Sequence, residues 1–155
     1  VAEGAFRSLA DPGAEASLEA RLARLHDKRP RAWGKMTAHE MLCHVGDSFA
    51  GVLGERTIAP ADTWWSRTVI KYAALHTKLA WPKGTPTTPE VDPTRGGTRP
   101  SEFERDRERV IHLMRRFTAP DTRYDRHPFF GPLTRDEWMV WGYRHTDHHL
   151  RQFAL

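Results

Sequence analysis

Near the end of the chain the segment YRHTDHHLRQF, residues 143–153, sets three histidines within five positions. His145 and His149 are spaced i and i+4, which on an α-helix places them on one face about a turn apart, so that both imidazoles can reach one cation. By itself that spacing has two readings, a pair of metal ligands or two hydrogen-bonded histidines of a core or pocket. A third donor favours the first. The segment TAHEMLCHVGDSF, residues 37–49, supplies His44 on the flank of an apolar stripe, beside Met41 and Ser48, where it opens toward a neighbouring helix. Three neutral imidazoles without a fourth protein donor describe an open coordination sphere that water or substrate completes, an arrangement suited to catalysis more than to scaffolding. Imidazole does not choose the ion, since zinc, nickel and other first-row divalent metals all accept it.

Two further side chains compete for the role of proton carrier. Asp47, one turn after His44, reads either as a carboxylate that orients a ligand or as a surface anion. His148, at the edge of the stripe, reads as a substrate contact or as an ordinary interhelical hydrogen bond. His39 points away from the stripe and is expected at the surface. His26, His76, His112 and His127 have no partner spacing, so ordinary structural roles are expected for them.

These residues act together only if helices carry them. Three stretches begin with Ser or Thr followed three residues later by Glu, the capping box that satisfies orphan backbone N–H groups: Thr37 with Glu40, Ser101 with Glu104, and Thr134 with Glu137. Each precedes apolar residues at a period near 3.6, predicting helices over 37–53, 101–117 and 134–153, the first ended by Gly54. Asp11-Pro12 opens a fourth over 12–26, with Leu18, Leu22 and Leu25 inward. A fifth is predicted over 62–80, with Trp64, Trp65, Thr68, Val69, Tyr72 and Leu79 as its buried stripe. On the last helix Trp138, Trp141, Gly142, His145, His149 and Phe153 share one stripe, with Arg144, Asp147 and Arg151 opposite. No strand is predicted, and an all-α bundle follows. Two connections are long. Residues 81–100 carry five Pro and three Gly, a composition that excludes helix and central strand; connections of this length tend to be lids, binding loops or disorder. Residues 118–133 end in an aromatic cluster expected to pack over one end of the bundle. The aromatics Trp64, Trp65, Trp138, Trp141, Phe129 and Phe130 are expected in the core, with an apolar pocket as the alternative.

The whole-chain figures set outer bounds. With 155 residues the chain has the size of one domain, 1–155. A charged fraction of 28% and a hydrophobic fraction of 39% describe a soluble globular protein rather than a disordered one. No apolar run long enough to span a bilayer occurs and the first residues lack a secretory h-region, so no membrane association and a cytoplasmic location are expected. The single cysteine, Cys43, excludes an intrachain disulfide and a cysteine-based zinc cluster. The formal charge of +4 arises from Arg interleaved with Asp and Glu, as in RPSEFERDRERVIHLMRR, which argues against a phosphate-tracking stripe and so against nucleic acid as a partner.

The stretches WGKMTAHEMLCHVGDSF, WPKGTPTTPE and above all HPFFGPLTRDEWMVWGYRHTDHHLRQF resemble the branch of the DinB-like superfamily catalogued as a domain of unknown function, from about Phe6 to the end. The resemblance implies a four-helix bundle in up-up-down-down order, here with an additional short helix and two long loops. It also implies a divalent metal ion bound by one His of the second helix and an HxxxH pair of the last, which fall on His44, His145 and His149. The superfamily includes enzymes that use low-molecular-weight thiols such as bacillithiol, mycothiol or glutathione, so it implies a small-molecule substrate and metal-dependent thiol transfer or hydrolysis. A noncatalytic metal-binding or small-molecule-binding bundle is the alternative. Many members are dimers, and a homodimer is the association implied.

Overall fold

The computed structural model describes residues 6–155. Five α-helices follow one another: α1 (Ala14–Arg24), α2 (Ala38–Val52), α3 (Lys71–His76), α4 (Phe103–Thr118) and α5 (Arg135–Arg151). A π-helical turn, Ser66–Ile70, leads into α3, and a 3-10 turn, Pro89–Val91, interrupts the connection to α4. The described residues contain no strand, only an isolated bridge between His127 and Gly131. No helix among them is long and apolar enough to cross a membrane.

The expected all-α bundle with an extra short helix and two long connections is what forms. Helix α2 packs against α4 and α5, and α1 packs against the same two, closing a ring of four. The order of directions differs from the expected one. Contacts pair Glu15 with Thr118 and Leu25 with Arg107 across α1 and α4, and Leu9, just before α1, with Met139 and Arg21 with Asp147 across α1 and α5. They also pair His39 with Asp106 and Glu55 with Arg116 along α2 and α4, while Phe49 meets Trp141 and His44 meets His149 along α5. Helices α1 and α5 therefore run one way and α2 and α4 the other, up-down-down-up rather than up-up-down-down. The physical cause is the segment between α2 and α4: α3 and the proline-rich connection carry the chain back to the end at which α2 began.

Local sequence explains most of the boundaries. Thr37 and Thr134 form full capping boxes with Glu40 and Glu137, and Gly54, at φ 78°, takes the left-handed conformation that ends α2. The third expected box does not form. Helix α4 starts at Phe103 with the Glu102 side chain accepting from the Arg105 N–H, while the Ser101 N–H donates to Asp106. Helix α1 starts at Ala14 rather than at Pro12, because the Asp11 carboxylate is taken by the N–H groups of Arg7 and Ser8. The fifth expected helix, 62–80, is reduced to the π turn and α3, and its expected buried stripe is outside: Trp64, Trp65, Val69, Tyr72 and Leu79 are all more than half exposed. Core residues come from elsewhere. Leu18, Leu22 and Leu25, the whole of α2 from Met41 to Val52, and Val110, Met114, Phe117, Trp138, Trp141 and Phe153 are buried as expected of their stripes or beyond them.

Candidate metal centre

Helix α2 enters the middle of the bundle and turns His44 toward α5, where the i, i+4 spacing sets His145 and His149 one above the other. One ring nitrogen from each of the three lies within 4.8 Å of the others. Ring centroids are 4.6 Å apart for His44 and His149, 4.8 Å for His145 and His149, and 5.3 Å for His44 and His145. The structure thus brings together the three histidines singled out by spacing, in a group that could hold a metal ion.

Outer contacts set which nitrogen each ring presents. The His44 Nδ1 donates to the Val91 carbonyl at 2.8 Å, which leaves Nε2 with a free lone pair. The His149 Nδ1 donates to the Gln152 Oε1 at 3.2 Å, and the orientation of that amide is fixed by its own donation to the Trp33 carbonyl at 3.1 Å. The His145 ring lies flat against Trp141, with centroids 5.1 Å apart and planes 10° off parallel. Its Nδ1 is buried without any hydrogen-bond partner. An unsatisfied buried polar atom costs roughly 1–3 kcal/mol, so this ring carries an uncompensated nitrogen.

Electrostatics favour the unprotonated rings. Burial is the first cause that pushes His145 well below the ordinary imidazole range, followed by the neighbouring His149 and His44. His149 is pushed well below it by burial and then by His44 and His148, and His44 is lowered by burial against the opposing pull of the Val91 carbonyl. Three imidazoles with free lone pairs at neutral pH are what a divalent ion requires.

The two candidate proton carriers separate. Asp47 is fully buried, yet it does not touch the triad: its carboxylate accepts from the Thr98 N–H at 2.6 Å, the Thr98 hydroxyl at 2.7 Å and the Arg109 guanidinium at 3.0 Å, with Arg56 at 3.3 Å. It is not a surface anion. It ties residues 81–100 to the bundle, and that connection delivers the Val91 carbonyl to His44. His148 stays beside the centre, its ring 5.4 Å from His149 and 4.8 Å from Trp33. Together with Trp33, Trp81, Lys83 and Arg144 it lines a groove of about 630 Å³.

Other expectations divide likewise. Arg144, placed on the outer face, caps α3 by donating to the carbonyls of Ala74, Thr77 and Leu79 and lies over Trp81. Among the aromatics, Trp138, Trp141 and Phe130 are core, whereas Trp64, Trp65 and Phe129 are exposed. His127 is structural: its Nδ1 accepts the N–H groups of Phe129 and Phe130 at 3.1 and 3.0 Å, and burial lowers its pKa to about 3. His39 is the correction. Instead of lying at the surface it reaches the Asp106 carboxylate at 2.7 Å, close to the buried Cys43 thiol, which burial and the Asp106 charge push up to about 12. Val91, Gln152, Trp33 and Trp81 escaped the sequence reading because a backbone carbonyl and residues distant along the chain leave no periodic signal.

A family model described as "Protein of unknown function (DUF1569)" matches residues 20–155. No curated protein and no solved structure matches the chain.

Proposed function

The chain belongs to the DUF1569 family of proteins of unknown function, and from that premise we propose that it is a metal-dependent enzyme that transfers a thiol to, or hydrolyses, a small electrophile. The observation that carries the proposal is the convergence of one nitrogen each from His44, His145 and His149 within 4.8 Å of one another, with the outward nitrogens of His44 and His149 held by Val91 and Gln152. The likeness of HPFFGPLTRDEWMVWGYRHTDHHLRQF to the DinB-like superfamily, with its thiol-using enzymes, supports the choice of chemistry. A divalent ion there would supply Lewis acidity, lowering the pKa of a neighbouring water or thiol and polarising an electrophile.

The chain's own residues have defined parts in this reading. Val91 and Gln152 hold His44 and His149 in the tautomers that turn a lone pair inward. Trp33 and Trp81 offer flat apolar walls to the body of a small molecule, and Lys83 offers a positive charge at the rim. His148, ringed by these walls and adjacent to His149, is the residue placed to hold or move a proton between groove and centre.

A second reading is an ion that staples α2 to α5 without turnover. It is favoured by the lining of the groove, which includes Trp81 and His148 but none of the triad. Elemental analysis of purified wild-type protein beside His149→Ala, followed by a panel of low-molecular-weight thiols with electrophilic acceptors, separates the readings. One equivalent of metal that the wild type holds and His149→Ala lacks, with turnover, supports the enzyme. Stoichiometric metal whose removal lowers Tm, with no turnover of any acceptor, supports the staple, and wild-type protein that neither retains nor takes up metal sinks both.

A further inference from the structure

The face of α2 turned toward α4 carries a second set of donors, one the triad does not use. His39 and Cys43 are spaced i and i+4, and Asp106, in the first turn of α4, meets them: one ligand atom from each lies within 4.8 Å of the others. Cys43 and Asp106 are buried, and the His39 side chain is 13% exposed. Two of the three meet at one oxygen of the third. Asp106 Oδ2 lies 2.7 Å from His39 Nε2, 3.2 Å from the Ser101 N–H and 3.8 Å from Cys43 Sγ. The sulfur contact is long for a hydrogen bond, so the buried thiol gains little from the carboxylate it faces.

We infer that His39, Cys43 and Asp106 form a second cation site, separate from the histidine triad and selective for a zinc-class ion. The donor set is one imidazole nitrogen, one sulfur and one carboxylate oxygen, and sulfur selects zinc and its neighbours over magnesium or calcium. The far side of His39 has a carboxylate nearby. Its Nδ1 faces the Asp27 carboxylate at 3.7 Å, outside hydrogen-bond range but on the side from which a carboxylate takes the outer N–H of a ligating histidine. The balance of the binding step is simple. The ion enters, the Cys43 thiol releases its proton to solvent, and the His39 proton passes from Nε2 to Nδ1, on the side that faces Asp27. Because His44 follows Cys43 directly and successive residues of a helix differ by about 100°, the two sites use different faces of α2, one toward α4 and one toward α5.

Cobalt(II) titration of metal-free protein tests the inference without any substrate and independently of the proposed activity. Cys43 is the only cysteine in the sequence, so a sulfur-to-cobalt charge-transfer band in the near ultraviolet can report on this site alone. Two equivalents are expected to bind, with that band. In Cys43→Ala and in His39→Ala one equivalent remains and the band is lost, whereas in His149→Ala one equivalent remains and the band is kept. Saturation without the band, or a band that disappears in His149→Ala, overturns the inference. The wild-type titration alone decides the first of these, so a variant that fails to fold does not protect the claim.

Discussion

At the scale of single residues, the chain handles buried histidines in two ways. His127 is buried neutral, and its Nδ1 serves as acceptor for two backbone N–H groups. The sign of its effect on stability follows. An unfolded histidine takes up a proton as pH falls below about 6.5, whereas in the folded chain burial holds His127 unprotonated down to about 3. Between those values the unfolded state carries the extra proton, so stability present at neutral pH is lost on acidification, by about 1.4 kcal/mol per pH unit for each such group. His127→Asn keeps an acceptor near the same place and cannot titrate. Chemical denaturation as a function of pH is expected to show a variant weaker than wild type at pH 7 but with a shallower loss of stability toward acid; an unchanged slope would place the acid sensitivity elsewhere. In metal-free protein His44, His145 and His149 are lowered as well, chiefly by burial, and add to the slope in the same direction.

Helices bring these residues to their places through close approach as much as through apolar periodicity. Gly142, in the middle of α5, is an example. A Cβ there would lie 2.7 Å from both Leu9 Cδ1 and Phe117 Cε1, so the absence of a side chain lets α5 settle against α4 and the segment before α1, one turn from His145. Replacing a helical glycine by alanine ordinarily stabilises by up to about 1 kcal/mol. Here Gly142→Ala is expected to destabilise instead, by roughly 1–3 kcal/mol of overpacking, read from the urea midpoint. What was legible at this scale was local: capping residues fixed the starts of α2 and α5, and the inward placement of His145 and His149 followed from their spacing. What was hidden is non-local. His39 sits at an angle that reads as exterior, yet α4 runs beside that face with Asp106. Asp47 reads as an anion on a helix flank, because its partners Arg56, Thr98 and Arg109 lie on other elements.

For the molecule as a whole, the exterior is where periodicity misled. Residues 62–80 alternate apolar and polar positions as a buried helix would, but the ring of α1, α4, α2 and α5 closes without them, and Trp64 and Trp65 are 59% and 62% exposed, their rings edge to face with centroids 4.8 Å apart. Trp64→Ser and Trp65→Ser are expected to change stability by no more than about 0.5 kcal/mol, whereas Trp141→Ala, at 4% exposure beside His145, is expected to cost on the order of 3–5 kcal/mol. Thermal melts of the three variants make the comparison, and a large loss in either surface variant would mean that this face is covered in solution. The same global view changes the status of the proline-rich connection. Its Thr98 amide points into the interior, where the fully buried Asp47 accepts it at 2.6 Å. Although it belongs to a segment without regular structure, this amide should trade its proton for deuterium as slowly as those in the centre of α2. A protected proton in a glycine- and proline-rich stretch would then serve as a clock for the opening of the whole bundle.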